Sequence, residues 1–144
     1  MPRPIRTDLA PAPAGHYSQA IVHHGRAYVS GQLPIDPLTG TVVDADTETQ
    51  AVITLRNISA ILDAAGSGLD LVLSLTVYVI DRDDWAGVNA ACERVFGDHR
   101  PARAIIGGAI LKPGCRVEVT AVAASREEWQ RTERRKTRGR APWG

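Results

Sequence analysis

Residues 117–124 read Val-Glu-Val-Thr-Ala-Val-Ala-Ala, a strict alternation that suits an extended strand. Val117, Val119, Ala121 and Ala123 fall on one face, and Glu118, Thr120 and Val122 on the other. Residues 26–30 repeat the pattern, with Ala27 and Val29 set against Tyr28 and Ser30. The second face is too apolar to stand in water and too polar for a closed core. A chain built on such strands must cover one sheet face with its own helices and meet another subunit with the other. The pattern therefore predicts a homo-oligomer with polar residues at its seams.

The helices that cover the first face are legible. Thr47-Glu48-Thr49-Gln50 fits the capping box, in which a hydroxyl and an amide satisfy two free N–H groups. Val52, Leu55, Ile58, Leu62 and Ala65 then recur at three- and four-residue steps, and Gly66 stops the helix. A second helix, capped by Asp81 or Asp83, turns Trp85, Val88, Cys92, Val95 and Phe96 inward and ends at Gly97. Between them Leu71–Ile80 reads as a strand, with Leu71, Leu73, Leu75, Val77 and Val79 on its aliphatic face. Short strands are expected at Tyr17–Val22 and Arg26–Ser30, and two more at Ala104–Leu111 and Arg116–Ala123 around the turn Lys112-Pro113-Gly114. Residues 1–15 read as an extended lead-in, residues 32–40 as turns, and residues 41–43 as a short strand end. The order β-β-α-β-α-β-β with two single-faced helices predicts an α+β two-layer sandwich, a mixed and mainly antiparallel sheet with both helices on one face.

Length suits one domain, placed at residues 1–124. Hydrophobic residues make up 44% of the chain but aromatic ones only 5%, so the core must be aliphatic. The net charge of +1 gives the body no general case for nucleic acid or acidic membranes, and nucleic acid is not expected as a partner. Residues 126–140 nevertheless hold seven bases against three acids. This basic tail, residues 125–144, is expected to be partly disordered. A short helix capped by Ser125 is expected over residues 125–136, with a loose end over 137–144. Any role for the tail would be electrostatic, toward RNA or a protein. Cys92 and Cys115 form no ligand or disulfide pattern, which favours a reducing compartment. Cys92 is read as a buried, inert thiol and Cys115 as more exposed. The N-terminus has no apolar leader and no stretch reaches membrane-spanning length, so a cytoplasmic location and no membrane partner are expected.

The chemistry centres on residues 99–124. Arg103 stands at the mouth of an apolar stretch, and a fixed guanidinium can hold a small carboxylate by two parallel hydrogen bonds. Glu118, on a strand read as adjacent, can orient or deprotonate a water. That pair is the minimum equipment for hydrolysing a small carboxylate-bearing molecule in a cleft between protomers. No metal or cofactor is called for.

The segments GHYSQA (15–20), VSGQLPIDPLTG (29–40), LDAAGSGLD (62–70), VNAACERVFGDHRPAR (88–103) and VEVTAVAA (117–124) together resemble the RidA (YjgF) family. The resemblance implies a chorismate-mutase-like fold, a homotrimer with sites at subunit interfaces, and hydrolysis of reactive enamines and imines such as 2-aminoacrylate to 2-keto acids and ammonia. It implies that Arg103 binds the substrate carboxylate, helped by the backbone N–H of Ile105. Glu118 orients the water, Tyr17 comes from the neighbouring subunit, and Ser30, Gly31 and Asn89 line the pocket. Ala104-Ile105 departs from the family's hydroxyl- or thiol-bearing pair, His16 replaces a proline, and Thr120 replaces a second acid. These changes alter the pocket walls. They leave open a dedicated enzyme for a pathway imine (cyclisation, dehydration or hydrolysis), and, in a different class, a non-catalytic ligand-binding trimer.

Overall fold

The structure is a computed structural model, described here over residues 1–139. Six strands form one mixed sheet: β1 (Arg3–Ile5), β2 (Ala20–His23), β3 (Arg26–Gln32), β4 (Val72–Val79), β5 (Ala102–Ile106) and β6 (Val117–Ala124). Their spatial order is β1-β2-β3-β6-β4-β5, antiparallel throughout except for the parallel pair β4 and β5. Helices α1 (Thr47–Ala64) and α2 (Trp85–Phe96) form the second layer, and α3 (Arg126–Arg138) follows the last strand. This is the α+β architecture read from the pattern, with β1 added where only an extended lead-in was expected.

The core lies between the helices and one sheet face. Leu55, Ile58, Ile61 and Leu62 of α1 meet Val77, Val79, Val117, Val119, Ala121 and Ala123, all essentially inaccessible to solvent. On β6 the buried and half-buried residues alternate without a break, so the strict periodicity was a faithful signal. On β4 it was not. The register shifts between Val72 and Ser74, where Val122 and Ala123 of β6 face Ser74 and Val72. Leu73 is the extra residue of a β-bulge. One inserted residue reverses the side-chain parity, so Val72 is buried and Leu73 is 45% exposed, against the expected face.

Other local expectations are corrected. The N-cap of α1 is Asp46, whose carboxylate accepts from the Thr49 N–H at 2.9 Å, and the capping box at Thr47 and Gln50 does not form. Both side chains are instead used at longer range. The Thr47 hydroxyl donates to Asp84. Gln50, almost fully buried, donates to the carbonyls of Val43 (2.9 Å) and Gly114 (2.8 Å) and accepts from the Arg116 N–H (2.8 Å). Asp81 does cap, but it caps a single 3₁₀ turn, Arg82–Asp84, that leads into α2. Trp85, expected inward, is 48% exposed at the start of α2, and Val88 and Ala91 are the buried positions.

The predicted β-hairpin around Lys112-Pro113-Gly114 does not form either. Strand β5 ends at Ile106. The chain then crosses the end of β4, with Gly108 and Ala109 N–H groups donating to the Ile80 and Val79 carbonyls, and returns as β6 on the far side of β4. At the C-terminus Ser125 caps α3 as expected, accepting from the Glu128 N–H at 3.1 Å. The helix includes Thr137 and Arg138, which were read as a loose end. The rest of that reading, residues 140–144, lies outside the described residues. No helix among the described residues is long and apolar enough to cross a membrane.

Candidate active site

Arg103 lies on β5, the edge strand, where its Cα partner is Leu75 of β4. Paired residues in a sheet point to the same side, and Leu75 is 2% exposed beneath the helices. Arg103 therefore emerges on the helix side, at the rim. There Arg103 Nη1 donates to Asn89 Oδ1 of α2 at 3.2 Å, and Asn89 Nδ2 donates to Glu93 Oε1 at 3.1 Å. These residues, with Leu75, Cys92, Phe96, His99 and Arg100, line a cavity of about 560 Å³. Ile105 follows on the same face of β5, half-buried against the core.

Glu118 lies elsewhere. Its partner on β4 is Tyr78, which alternates with the buried Val77 and Val79. Glu118 accordingly projects from the bare face of the sheet. Beside it, β3 carries a second bulge. Val29 pairs with Ala121 but Gln32 pairs with Val119, so Ser30 and Gly31 share the space of one residue. A Cβ at Gly31 would run into the Glu118 carboxylate, with Cδ at 3.1 Å and Cγ at 3.4 Å, so any larger residue here displaces that side chain. The Ser30 hydroxyl donates to the Ser18 carbonyl at 2.6 Å, and the Ser30 N–H to the Gln19 carbonyl at 2.9 Å. That ties the bulge to the segment bearing Tyr17, which is half-exposed and whose hydroxyl accepts from the Ala14 N–H at 3.2 Å.

The seven residues singled out from the sequence thus fall into two groups. Tyr17, Ser30, Gly31 and Glu118 gather around the β3 bulge, and Arg103, Asn89 and Ile105 around the α2–β5 rim. The expectation that Arg103 and Glu118 converge from adjacent strands is corrected: β4 stands between β5 and β6, and the two side chains leave opposite faces of the sheet. Within one chain the two groups face away from each other, on either side of the sheet.

The electrostatics of the two groups differ. Burial alone pushes the Glu118 carboxyl above the ordinary glutamate range. Such a group is a stronger proton acceptor once ionised than a solvated carboxylate. Arg103 keeps donors free beyond the one on Asn89, since a guanidinium has five N–H bonds. The cysteines are the reverse of expectation: Cys115 is fully buried, while Cys92 is half-buried and lines the Arg103 cavity. Burial raises both thiols, more than Arg103 lowers Cys92, so neither is an activated nucleophile. No group of three or more His, Cys, Asp or Glu residues fit to hold a metal occurs among the described residues.

Sequence reasoning missed Glu93 and the residues that fasten the α2 end of this rim. Arg116 Nε and Nη2 donate to the two Asp84 oxygens at 2.7 and 3.0 Å, beside Thr47. Asp84 and Arg116 are 32 residues apart, and no local pattern connects them. Glu93 stands four residues after Asn89, and that helical spacing was the available signal.

The family model described as Endoribonuclease L-PSP matches residues 7–125. A protein of Salmonella typhimurium named 2-iminobutanoate/2-iminopropanoate deaminase is 38% identical over 129 residues, covering 88% of this chain and 100% of that one. The crystal structure of RidA from an Antarctic Psychrobacter superposes with a TM-score of 0.81 at 36% identity, covering 85% of this chain and 98% of that one. The chain belongs to the RidA family. A further relative, Escherichia coli TdcF, was crystallised with bound serine; it shares 32% identity and a TM-score of 0.80 over 85% of this chain and 98% of its own. The family match ends at residue 125, so α3 lies beyond the matched residues.

Proposed function

We propose that this RidA protein hydrolyses small carboxylate-bearing enamines and imines to 2-keto acids and ammonia, at sites formed between copies of the chain. The observation that carries the reading is the division of the two groups: an arginine with free donors at the α2–β5 rim, and a half-buried glutamate of raised pKa beside Gly31 on the bare sheet face. Placing the rim of one copy against the bare face of the next brings both to one molecule. The deaminase name of the Salmonella relative, at 38% identity, supports the reaction class. The homotrimer implied by the resemblance satisfies the geometry with three equivalent seams.

The chemistry asks little of the protein. An enamine such as 2-aminoacrylate takes a proton at its terminal carbon and becomes a protonated imine. Arg103 of one copy holds the carboxylate by two N–H groups, and Tyr17, Ser30 and Gly31 of the other close the pocket. Glu118 accepts a proton from water as its oxygen bonds to the imine carbon. The protonated Glu118 then returns that proton to nitrogen. The carbon–nitrogen bond breaks, ammonia leaves, and the second proton of the added water is released as the ketone forms. No electrons are transferred, so no cofactor is needed for the balance.

A dedicated pathway imine with an apolar side chain is favoured by one feature, the Cys92 and Phe96 side chains that line the Arg103 rim. The deciding experiment measures keto-acid and ammonia release from a panel of amino-acid-derived imines generated in situ. Activity on at least one imine is expected, with a loss of about tenfold or more in kcat/KM for Arg103→Ala. Arg103→Lys should rescue little, because an ammonium cannot make the two-pronged contact. Equal rates for parent and Arg103→Ala on every active imine would overturn the proposal, as would inertness across the panel.

A further inference from the structure

The contact between α2 and Arg103 contains an amide held between two groups of opposite hydrogen-bonding character. Asn89 is bonded on one side to Glu93, which when ionised can only accept, and on the other to Arg103, which can only donate. Chemistry alone therefore decides which way the Asn89 amide points: Nδ2 toward Glu93, Oδ1 toward Arg103. Remove the acceptor, and the Arg103 contact still favours Oδ1 toward the guanidinium, but Nδ2 loses its anchor and the Asn89 side chain is no longer held between two partners. Positions 89 and 93 are one helical turn apart on α2, so the geometry of the pair is kept by the helix.

We propose that Glu93 is a positioning residue, acting through Asn89 to hold the Arg103 guanidinium in the orientation that receives a substrate carboxylate. The inference rests on the proposed function for its consequence in catalysis, but the positioning of Arg103 stands whichever substrate is used. Its signature is a direction. As a mere nearby negative charge, Glu93 would compete with an anionic substrate, and neutralising or inverting it would tighten binding. As the group that orients the amide, it has the opposite effect: losing the acceptor weakens substrate binding even though a repulsive charge has gone.

Four variants of the full chain separate these. Glu93→Ala is expected to raise KM for the best imine about fivefold with little change in kcat, the size of one hydrogen bond. Glu93→Gln keeps an acceptor oxygen for Asn89 Nδ2 and is expected to recover most of that loss. Glu93→Lys presents donors only to Asn89 Nδ2, pushes the amide from its place beside Arg103 and is expected to be worse than Glu93→Ala. Arg103→Ala serves as the reference for complete loss. An activity-independent readout accompanies them: the rotation rate of the Arg103 guanidinium, from arginine-selective ¹⁵N spectra. It should be slow in the parent and Glu93→Gln, and faster in Glu93→Ala and Glu93→Lys. Thermal melting confirms that all remain folded.

A KM that falls in Glu93→Ala or Glu93→Lys, or equal guanidinium rotation in parent and Glu93→Ala, overturns the positioning role. Those results leave the deaminase reading standing if Arg103→Ala is still impaired. Inertness of the parent on all imines sinks the deaminase reading, and the spectra then decide the role of Glu93 alone.

Discussion

Gly31 and Glu118 show how one residue's absence of a side chain becomes another's placement. The φ of Gly31 is not what requires glycine; the Glu118 carboxylate occupies the space a Cβ would take. That obstacle is the mobile end of a flexible side chain, so Gly31→Ala should cost about 1 kcal/mol or less in stability by urea unfolding. It should nonetheless lower kcat/KM substantially, because the carboxylate must move aside. The raised Glu118 pKa has consequences of opposite sign for activity and stability. The rate should climb with pH through a value above the ordinary glutamate range, as the base ionises. Because the folded chain prefers the protonated form, stability is lost as pH rises from the unfolded to the folded pKa. Glu118→Gln should therefore be inactive yet melt higher than the parent at pH 7, with the gap closing below pH 4. A lower melting temperature for Glu118→Gln at pH 7 would contradict this assignment.

The elements that carry the rim are fastened by the Asp84–Arg116 pair, which joins the start of α2 to the start of β6. The Asp84 side chain is almost fully buried, and burial raises its carboxyl; the hydrogen bonds from Arg116, Thr47 and the Asp81 N–H more than reverse this and hold it below the usual range. Asp84→Ala leaves the Arg116 guanidinium and the Thr47 hydroxyl without their acceptor and should cost about 3 kcal/mol, toward the lower end for a broken buried pair because Arg116 is partly solvated. A depressed folded pKa contributes stability that is present above the unfolded value and is lost as pH falls through the folded one. The difference between parent and Asp84→Ala should thus shrink below about pH 4 in denaturant titrations. A cost that persists undiminished at pH 2 would assign the effect to packing instead. The α1 stripe was legible because it is local, five apolar positions on one helix face. The cap was not, because Thr47 and Gln50 are recruited by Asp84, Gly114 and Arg116, all distant in the chain.

The whole molecule is a sheet with one face covered by its own helices and the other carrying Tyr28, Thr76, Tyr78, Glu118 and Thr120 outward. Arg103 belongs to the first side and Glu118 to the second, so the proposed function requires a contribution from two copies. This can be tested by complementation. Arg103→Ala and Glu118→Gln chains, each strongly impaired alone, are unfolded together, refolded as a mixture and assayed against their separate residual activities. In a random mixture of equal parts, about a quarter of the seams pair an intact Arg103 with an intact Glu118, so about a quarter of the parental activity should return. If both residues served a site within one chain, none would return.

The amino-acid sequence by itself determined the two-layer α+β class, both core-covering helices, the alternation of β6, the bare second face and the membership of Arg103 and Glu118 in one family pattern. These are local signals, carried by side-chain period and short motifs, and they survive any tertiary arrangement that keeps the elements. What only the tertiary structure decided is non-local. The two bulges, each a single inserted residue, reversed parity at Leu73 and folded Ser30 and Gly31 against Glu118. Strand order placed β4 between the arginine and the glutamate, so an apparent pair on neighbouring strands stands instead on opposite faces of the sheet. Alternation records which residues share a face within a strand; it holds no record of which strand comes next.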